Sequence, residues 1–147
     1  MKRYLLLLAL VIGILPGCSA LNEVNHTLDY INEATSFVNR ASGFAEQVPV
    51  LAQQALLDPA SRTALQQELE SMRDGIVRFN GLEVPKVAQD LHKQLVAHNE
   101  ALMKELTLYL EQMNQNVIDF KALADSPMLQ TINKITQTLT SIRELAP

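Results

Sequence analysis

The sequence predicts an all-α protein, an elongated antiparallel bundle of about four amphipathic helices that follows a lipoprotein signal peptide. Apolar residues recur at alternating spacings of three and four through most of the chain, which is the period of one helix face. The chain contains only five glycines, and no segment has the alternation of a half-buried strand. Four amphipathic segments joined by short turns must cover one another's apolar faces, and an antiparallel bundle does so.

The first predicted helix carries its apolar or small residues at Leu21, Val24, Leu28, Ile31, Thr35, Val38, Ser42 and Ala45. Gly43 lowers helix propensity, and Pro49 removes an amide donor and clashes with the carbonyl four residues back. We therefore expect this helix to end or kink near Gln47, with a short continuation over residues 50–57.

The second predicted helix begins at Asp58-Pro59, because an aspartate oxygen accepts from a first-turn amide and proline has no amide to lose there. It extends to about Phe79, and Asn80-Gly81 ends it, since both residues tolerate the left-handed conformation. Its predicted buried face is Leu65, Leu69, Met72, Ile76 and Phe79.

The third predicted helix runs from Pro85 to about Ala124 without an internal glycine or proline. Its apolar side is Leu91, Leu95, His98, Leu102, Leu106, Tyr109, Met113, Val117, Phe120 and Leu123. Asp125-Ser126-Pro127 repeats the cap-and-proline signal and begins a last helix. The inner face of that helix is Met128, Ile132, Ile135, Leu139 and Ile142.

The predicted helices differ in length, because the first and third are far longer than the second and fourth. Three arrangements answer this mismatch. The bundle is elongated with an overhanging end, the first helix folds back at Pro49, or a partner covers the overhang.

Residues 1–17 have the layout of a bacterial lipoprotein signal peptide. Lys2 and Arg3 precede an apolar run, and Leu15-Pro16-Gly17 leads directly to Cys18. The run is shorter than the ~20 apolar residues that span a bilayer. Cleavage before Cys18 leaves one helical domain, residues 18–147, with a sulfur that can carry a diacylglyceryl group. The alternative is a secreted protein in which Cys18, the only cysteine, is a free or disulfide-bonded thiol.

The charge of the mature chain argues against a nucleic-acid partner. Loss of Lys2 and Arg3 takes the 12 basic residues to 10 against 16 acidic ones, so the net charge changes from −4 to −6. The basic residues that remain are scattered, whereas binding to phosphate backbones needs them clustered. The same sign disfavours electrostatic adsorption to an anionic bilayer, so we expect the lipid to be the attachment.

No catalytic, metal or cofactor motif is apparent in the sequence. His92 and His98 are six residues apart, which places them on opposite sides of a helix and not at chelating spacing. His98 falls in the apolar stripe, where we expect a partly buried imidazole. The serines fall on helices or caps, and no glycine-rich phosphate loop is present. We therefore expect a protein that is not an enzyme and needs no cofactor.

Asn25, Asn32 and Asn39 repeat every seven residues beside the predicted stripe of the first helix. Amide side chains at such positions can hydrogen-bond to a neighbouring helix, face solvent, or present a polar row to a partner. Met72, Met103, Met113 and Met128 leave a similar choice between an adaptable ligand-binding face and the filling of core gaps.

The mature amino terminus carries the pattern Cys-Ser-x-Leu-Asn-x-Val-Asn from Cys18, followed by Leu-x-Tyr-x-Asn-x-Ala from Leu28. On these motifs the chain resembles an uncharacterised family of small lipoproteins from Bacillus-like Gram-positive bacteria. It implies a lipid-anchored helical protein on the outer face of the cytoplasmic membrane, and it carries over no activity, ligand or catalytic residue.

These observations favour a membrane-tethered interaction or spacer module without enzymatic activity. Its expected contacts are the membrane, through a diacylglyceryl group on Cys18, and an envelope protein or further copies of itself. The alternative is a carrier for an apolar small molecule or lipid held between the helices. Met113, Phe120, Leu123 and Met128 would line that site.

Overall fold

The computed structural model describes residues 18–146, with side chains from Asn22 onward. Within this range the chain is helical and contains no strand, which confirms the all-α prediction. The leader, residues 1–17, and its cleavage site lie outside the described residues. The elements in chain order are α1 (Cys18–Gln54), α2 (Pro59–Asn80), a short 3-10 turn (Lys86–Ala88), α3 (Gln89–Asn114), α4 (Phe120–Ala124), α5 (Pro127–Gln137) and α6 (Leu139–Arg143).

The helices form a four-position bundle. α1 packs against α2 on one side and against α4, α5 and α6 on the other, while α3 packs against α2 and α5. The three short helices α4, α5 and α6 together take the fourth position. The shared core contains Phe44, Leu69, Leu106 and Ile132, all of which are fully buried.

The buried face of α1 differs from the predicted one. Val24 and Leu28 are about two-fifths exposed, at 39% and 40%, and of the predicted stripe only Val38 is fully buried among the described side chains. The observed core face is displaced by one residue and comprises Tyr30, Ala34, Phe37, Ala41, Phe44 and Val48. Both stripes have the same helical spacing, so periodicity alone does not separate them. The observed face packs into the core because its three aromatic rings, Tyr30, Phe37 and Phe44, bury more apolar area than the aliphatic side chains of the predicted stripe.

The sequence predicted an end or a kink of the first helix near Gln47, and the end does not occur there, because α1 continues through Pro49 to Gln54. The proline leaves the carbonyl of Ala45 without its usual helical donor. Packing on the core side offsets this loss, since Val48, Ala52 and Ala55 around the proline are fully buried. The first helix therefore does not fold back at Pro49.

The prediction of one helix from Pro85 to Ala124 is also wrong. α3 ends at Asn114, and Asn116 takes a left-handed conformation with φ 56°. The amide of Asn116 donates to the carbonyl of Met113, and the amide of Val117 donates to the carbonyl of Gln112, which is the Schellman pattern of a helix end. The carboxylate of Asp119 then accepts the amides of Lys121 and Ala122 and starts α4.

The second and last helices are close to their predictions. Asp58 caps α2 by accepting from the amides of Ala60 and Ser61, at 3.1 and 3.0 Å. The predicted buried face of α2 is confirmed at all five positions. Pro127 begins α5 as predicted, but the last segment is interrupted at Thr138, and Leu139 is only partly buried.

The mismatch in helix length produces an overhang at the amino-terminal end of α1. α1 contains 37 residues, or about 55 Å of helix, whereas α2 contains 22. His26 lies beside Glu83 in the α2–α3 connection, and Thr27 is the first described side chain of α1 that is buried. Asn22, Glu23 and His26 line one groove with Val84, Pro85 and Lys86 of the α2–α3 connection, so the overhang is confined to the first turn of α1, before Asn22.

Candidate functional site

Cys18, the predicted site of lipid attachment, is the first residue of α1. α1 is one continuous helix from Cys18 to Gln54, so a group attached to Cys18 would be linked to the bundle through this helix. The modification itself and the processing of the leader involve residues outside the described range. Among residues 18–146, no helix has both the length and the apolar character needed to span a membrane.

The predicted polar row, Asn25, Asn32 and Asn39, is exposed along its whole length. Among residues 22–146 no hydrogen bond joins these three side chains to a neighbouring helix, and all three face solvent. Their spacing of seven keeps them on one face of α1. Val24 and Leu28 lie beside this row, and the exposed carboxylate of Asp29, four residues after Asn25 and three before Asn32, lies on the same face.

An aromatic cluster fills the core at the end of the bundle nearest Cys18. The rings of Phe37 and Phe79 stack with centroids 4.5 Å apart, and the imidazole of His92 lies 5.0 Å from Phe79. The hydroxyl of Tyr30 lies 3.3 Å from Nδ1 of His92. This cluster ties α1, α2 and α3 together.

Burial governs the ionisation of this cluster. Burial lowers the pKa of His92 below its ordinary value, and a hydrogen bond with the backbone of Asn80 opposes that shift. Burial also raises the pKa of Tyr30 to about 12. At neutral pH both side chains are therefore uncharged. The tautomer that suits the contact leaves Nδ1 of His92 free to accept from the Tyr30 hydroxyl.

The imidazole of His98 is partly buried, as expected, and His92, which sequence reasoning missed, is the more deeply buried of the two. His92 is 9% exposed. Asn99 is also buried, and its Nδ2 donates to Oδ1 of Asn80 at 2.8 Å. Sequence reasoning missed His92 and Asn99 because they interrupt an apolar stripe. The sequence feature that could have indicated their burial is their spacing of seven residues, which places both on one face of α3.

The chemistry available in the described part of the chain is sparse. No group of three or more histidine, cysteine, aspartate or glutamate side chains there is placed to hold a metal ion. The hydroxyl of Ser126, near a predicted cap, is buried and does not cap α5. Tyr109 lies beside it, and burial raises the pKa of Tyr109.

The end of the bundle opposite Cys18 exposes large apolar side chains. We call the α1–α2 and α3–α4 turns, residues 55–58 and 115–119, the distal tip. Leu57 is 93% exposed and Val117 is 65% exposed. Arg62 joins the two turns, because its Nε donates to the carbonyl of Ala55 at 2.7 Å and its guanidinium lies over the ring of Phe120. The sequence signal was a Leu-Leu pair placed directly before the Asp58 cap.

Comparison with known proteins places the bundle in a described family. Residues 30–145 match the model of a family of unknown function, DUF6376. The chain belongs to this family. The match begins at Tyr30, the first fully buried apolar residue of the described core, so it covers the bundle and leaves the overhang outside.

The chain is also similar to a protein from Bacillus subtilis (strain 168) that carries the name uncharacterized lipoprotein YybP. The two are 35% identical over 129 residues, which cover 88% of this chain and 87% of the relative. This similarity and the family match confirm the resemblance to a lipoprotein family of Bacillus-like bacteria. No solved structure matches the chain.

Proposed function

We propose that this protein is a lipid-anchored interaction module that has no enzymatic activity and stands on the outer face of the cytoplasmic membrane. In this proposal the Gly17–Cys18 bond is hydrolysed, and the sulfur of Cys18 takes a diacylglyceryl group from a phospholipid donor in exchange for its proton. Two acyl chains then make release from the bilayer slow. The name of the Bacillus subtilis relative, a lipoprotein, supports the anchor.

The single observation that carries the proposal is the separation of two features along α1. Cys18 lies at one end of a continuous helix about 55 Å long, and the exposed apolar residues of the distal tip lie at the other. An anchored copy can therefore present its tip away from the membrane. Exposed apolar side chains that cluster at one end of a domain mark a surface for a protein partner.

The exposed row of Asn25, Asn32 and Asn39 supports the same reading, because it lies on the same helix as the anchor and therefore at a fixed height above Cys18.

The alternative of an apolar carrier receives less support. Leu123 and Met128 are fully buried in the packed core. Met113 and Phe120 instead edge an open groove of about 280 Å³ that Arg62 and Gln66 also line. An apolar ligand needs a predominantly apolar pocket, and these polar walls do not provide one.

In-cell crosslinking followed by purification of the intact protein tests the proposal. The wild-type chain should recover a specific envelope protein, and Leu57→Asp should reduce that recovery by placing a charge on the distal tip. Lys93→Asp is the matched control, because Lys93 is exposed on α3 and pairs only with Asp90 of its own helix among the described residues. Recovery of no partner at native abundance would count against the proposal.

A further inference from the structure

A small cleft between α1 and α2 has two arginines in its wall. Arg40 of α1 and Arg78 of α2 line it, with the rings of Phe37 and Phe79 as its apolar part. The space is about 50 Å³ and opens to solvent. Since a water molecule occupies ~30 Å³ in the liquid, the cleft has room for one small polar group and not for a whole small-molecule ligand.

Gly75 of α2 lies against one of the arginines. It is buried in the interior of α2. A Cβ at this position would lie 3.4 Å from Nη1 of Arg40 and 3.6 Å from its Cδ, which are ordinary van der Waals contacts. The side chain of Arg40 therefore lies across the surface of α2 at Gly75.

Among residues 22–146, no carboxylate forms an ion pair with either guanidinium. The ion pairs among residues 22–146 involve His26, Arg73 and Lys93, and not Arg40 or Arg78. Glu33 lines the same cleft but lies beyond ion-pair distance of both arginines. The formal charge around the cleft is therefore +1, in a mature domain whose net charge is −6.

We propose that this cleft binds one oxyanion, a carboxylate or phosphate group, between Arg40 and Arg78. Guanidinium groups donate paired hydrogen bonds that fit the oxygens of such groups. Because the cleft holds only the charged group, the remainder of a larger ligand would lie outside the mouth. The proposal concerns the bundle alone and does not depend on the lipid anchor or on the distal tip.

The mature full-length protein in non-ionic detergent, titrated with inorganic phosphate and with acetate at low ionic strength, tests the site. Amide and guanidinium NMR signals of Gly75, Arg40 and Arg78 should shift together and saturate. Phosphate should bind more tightly than acetate if the site takes a dianion, and comparably if it takes a carboxylate. Absence of saturable shifts with both probes would overturn the proposal.

A charge series separates this site from general attraction. Arg40→Gln and Arg78→Gln should each weaken binding by about tenfold or more, as expected for the loss of charge-assisted hydrogen bonds. Glu33→Gln should tighten binding, because it removes the negative charge in the wall. Arg143→Gln is the matched control on exposed α6 and should leave affinity unchanged.

Gly75→Ala provides a variant whose stability and binding should move differently. The added methyl group raises helix propensity and meets Arg40 at ordinary contact distance, so the melting temperature should rise while binding stays unchanged. Equal loss of affinity in Arg143→Gln, or no change in Arg40→Gln and Glu33→Gln, would overturn the proposal.

Discussion

The hydroxyl of Tyr30 lies 3.3 Å from Nδ1 of His92, and this contact joins α1 to α3 through the core. The two rings also meet edge to face, with centroids 5.8 Å apart. A neutral imidazole accepts from the Tyr30 hydroxyl at Nδ1, whereas protonation would reverse that donation and place a charge in a buried site, so burial favours the neutral state of His92. The stability of the bundle is thereby linked to pH at the end nearest Cys18.

We predict that the domain loses stability as the pH falls below about 6.5. Burial lowers the pKa of His92 in the folded state, so the unfolded chain takes up a proton first. The stability gained by burying a neutral His92 is complete above the ordinary histidine pKa of about 6.5, and it is lost as pH falls from there toward the lowered pKa of His92 in the folded state. Urea denaturation at several pH values between 7.5 and 5 should record the decrease.

A variant pair assigns this pH dependence to His92. His92→Phe removes the titrating ring and keeps the aromatic packing, so its stability should depend less steeply on pH. Tyr30→Phe removes the hydroxyl and keeps the buried imidazole, so it should retain a steep dependence. Equal slopes for His92→Phe and the wild-type protein would show that another group is responsible.

The core face of α1 leads to a second prediction. Phe44 is 1% exposed, and Phe44→Ala should lower the free energy of unfolding by about 3–5 kcal/mol. Leu28, from the predicted but largely exposed stripe, is the control, and Leu28→Ala should change stability by about 0.5 kcal/mol or less. Chemical denaturation measures both. A Leu28→Ala cost equal to that of Phe44→Ala would mean that α1 is rotated by one residue.

The sequence was informative where local chemistry decides the structure. The Asp58 cap and the regular leucine spacing of α2 predict that helix to within a residue at each end. α1 was harder, because two adjacent stripes share one period and only the packing of α2 against Phe37 and Phe44 selects between them. Pro49 lies inside a helix because buried neighbours outweigh a local rule, and the sequence contains no local sign of that balance.

The candidate sites divide in the same way, into features that the local sequence predicts and features that depend on how the helices pack. Cys18 and the asparagine row depend on linear spacing, so the sequence predicts both; Asn25, Asn32 and Asn39 are exposed in the structure, and lipid attachment at Cys18 stays a prediction. The cleft at Arg40 and Arg78 depends on two helices meeting at Gly75, which no pattern within either helix predicts. The distal tip required knowledge that α3 ends before residue 115. The sequence signal for the end of α3, Asn116 followed by Asp119, is weak because neither residue is glycine or proline.

The left-handed conformation of Asn116 gives a third prediction. Asn116→Val should destabilise the domain by about 1–2 kcal/mol, because a β-branched side chain is strained at φ 56°. Asn116→Gly should keep or slightly raise stability, since glycine adopts this conformation without a steric cost. Thermal denaturation followed by circular dichroism compares the two. If both variants melt at the same temperature, the α3–α4 turn does not have this conformation.

Lipid attachment gives a fourth prediction. Cys18→Ser replaces the only sulfur nucleophile and should move the protein from the membrane fraction to unprocessed or soluble forms. Leu57→Asp lies at the opposite end of the domain, and it should leave membrane association unchanged. Fractionation of cells expressing each variant at native abundance makes the comparison. Wild-type distribution of Cys18→Ser would exclude the thioether anchor.

Intact-mass spectrometry of the mature protein isolated from its native membrane tests the tether most directly. The predicted species begins at Cys18, ends at Pro147 and carries a diacylglyceryl group on the sulfur of Cys18. A species in the culture medium that begins elsewhere, or that begins at Cys18 with a bare thiol, would contradict the proposed lipid-anchored module.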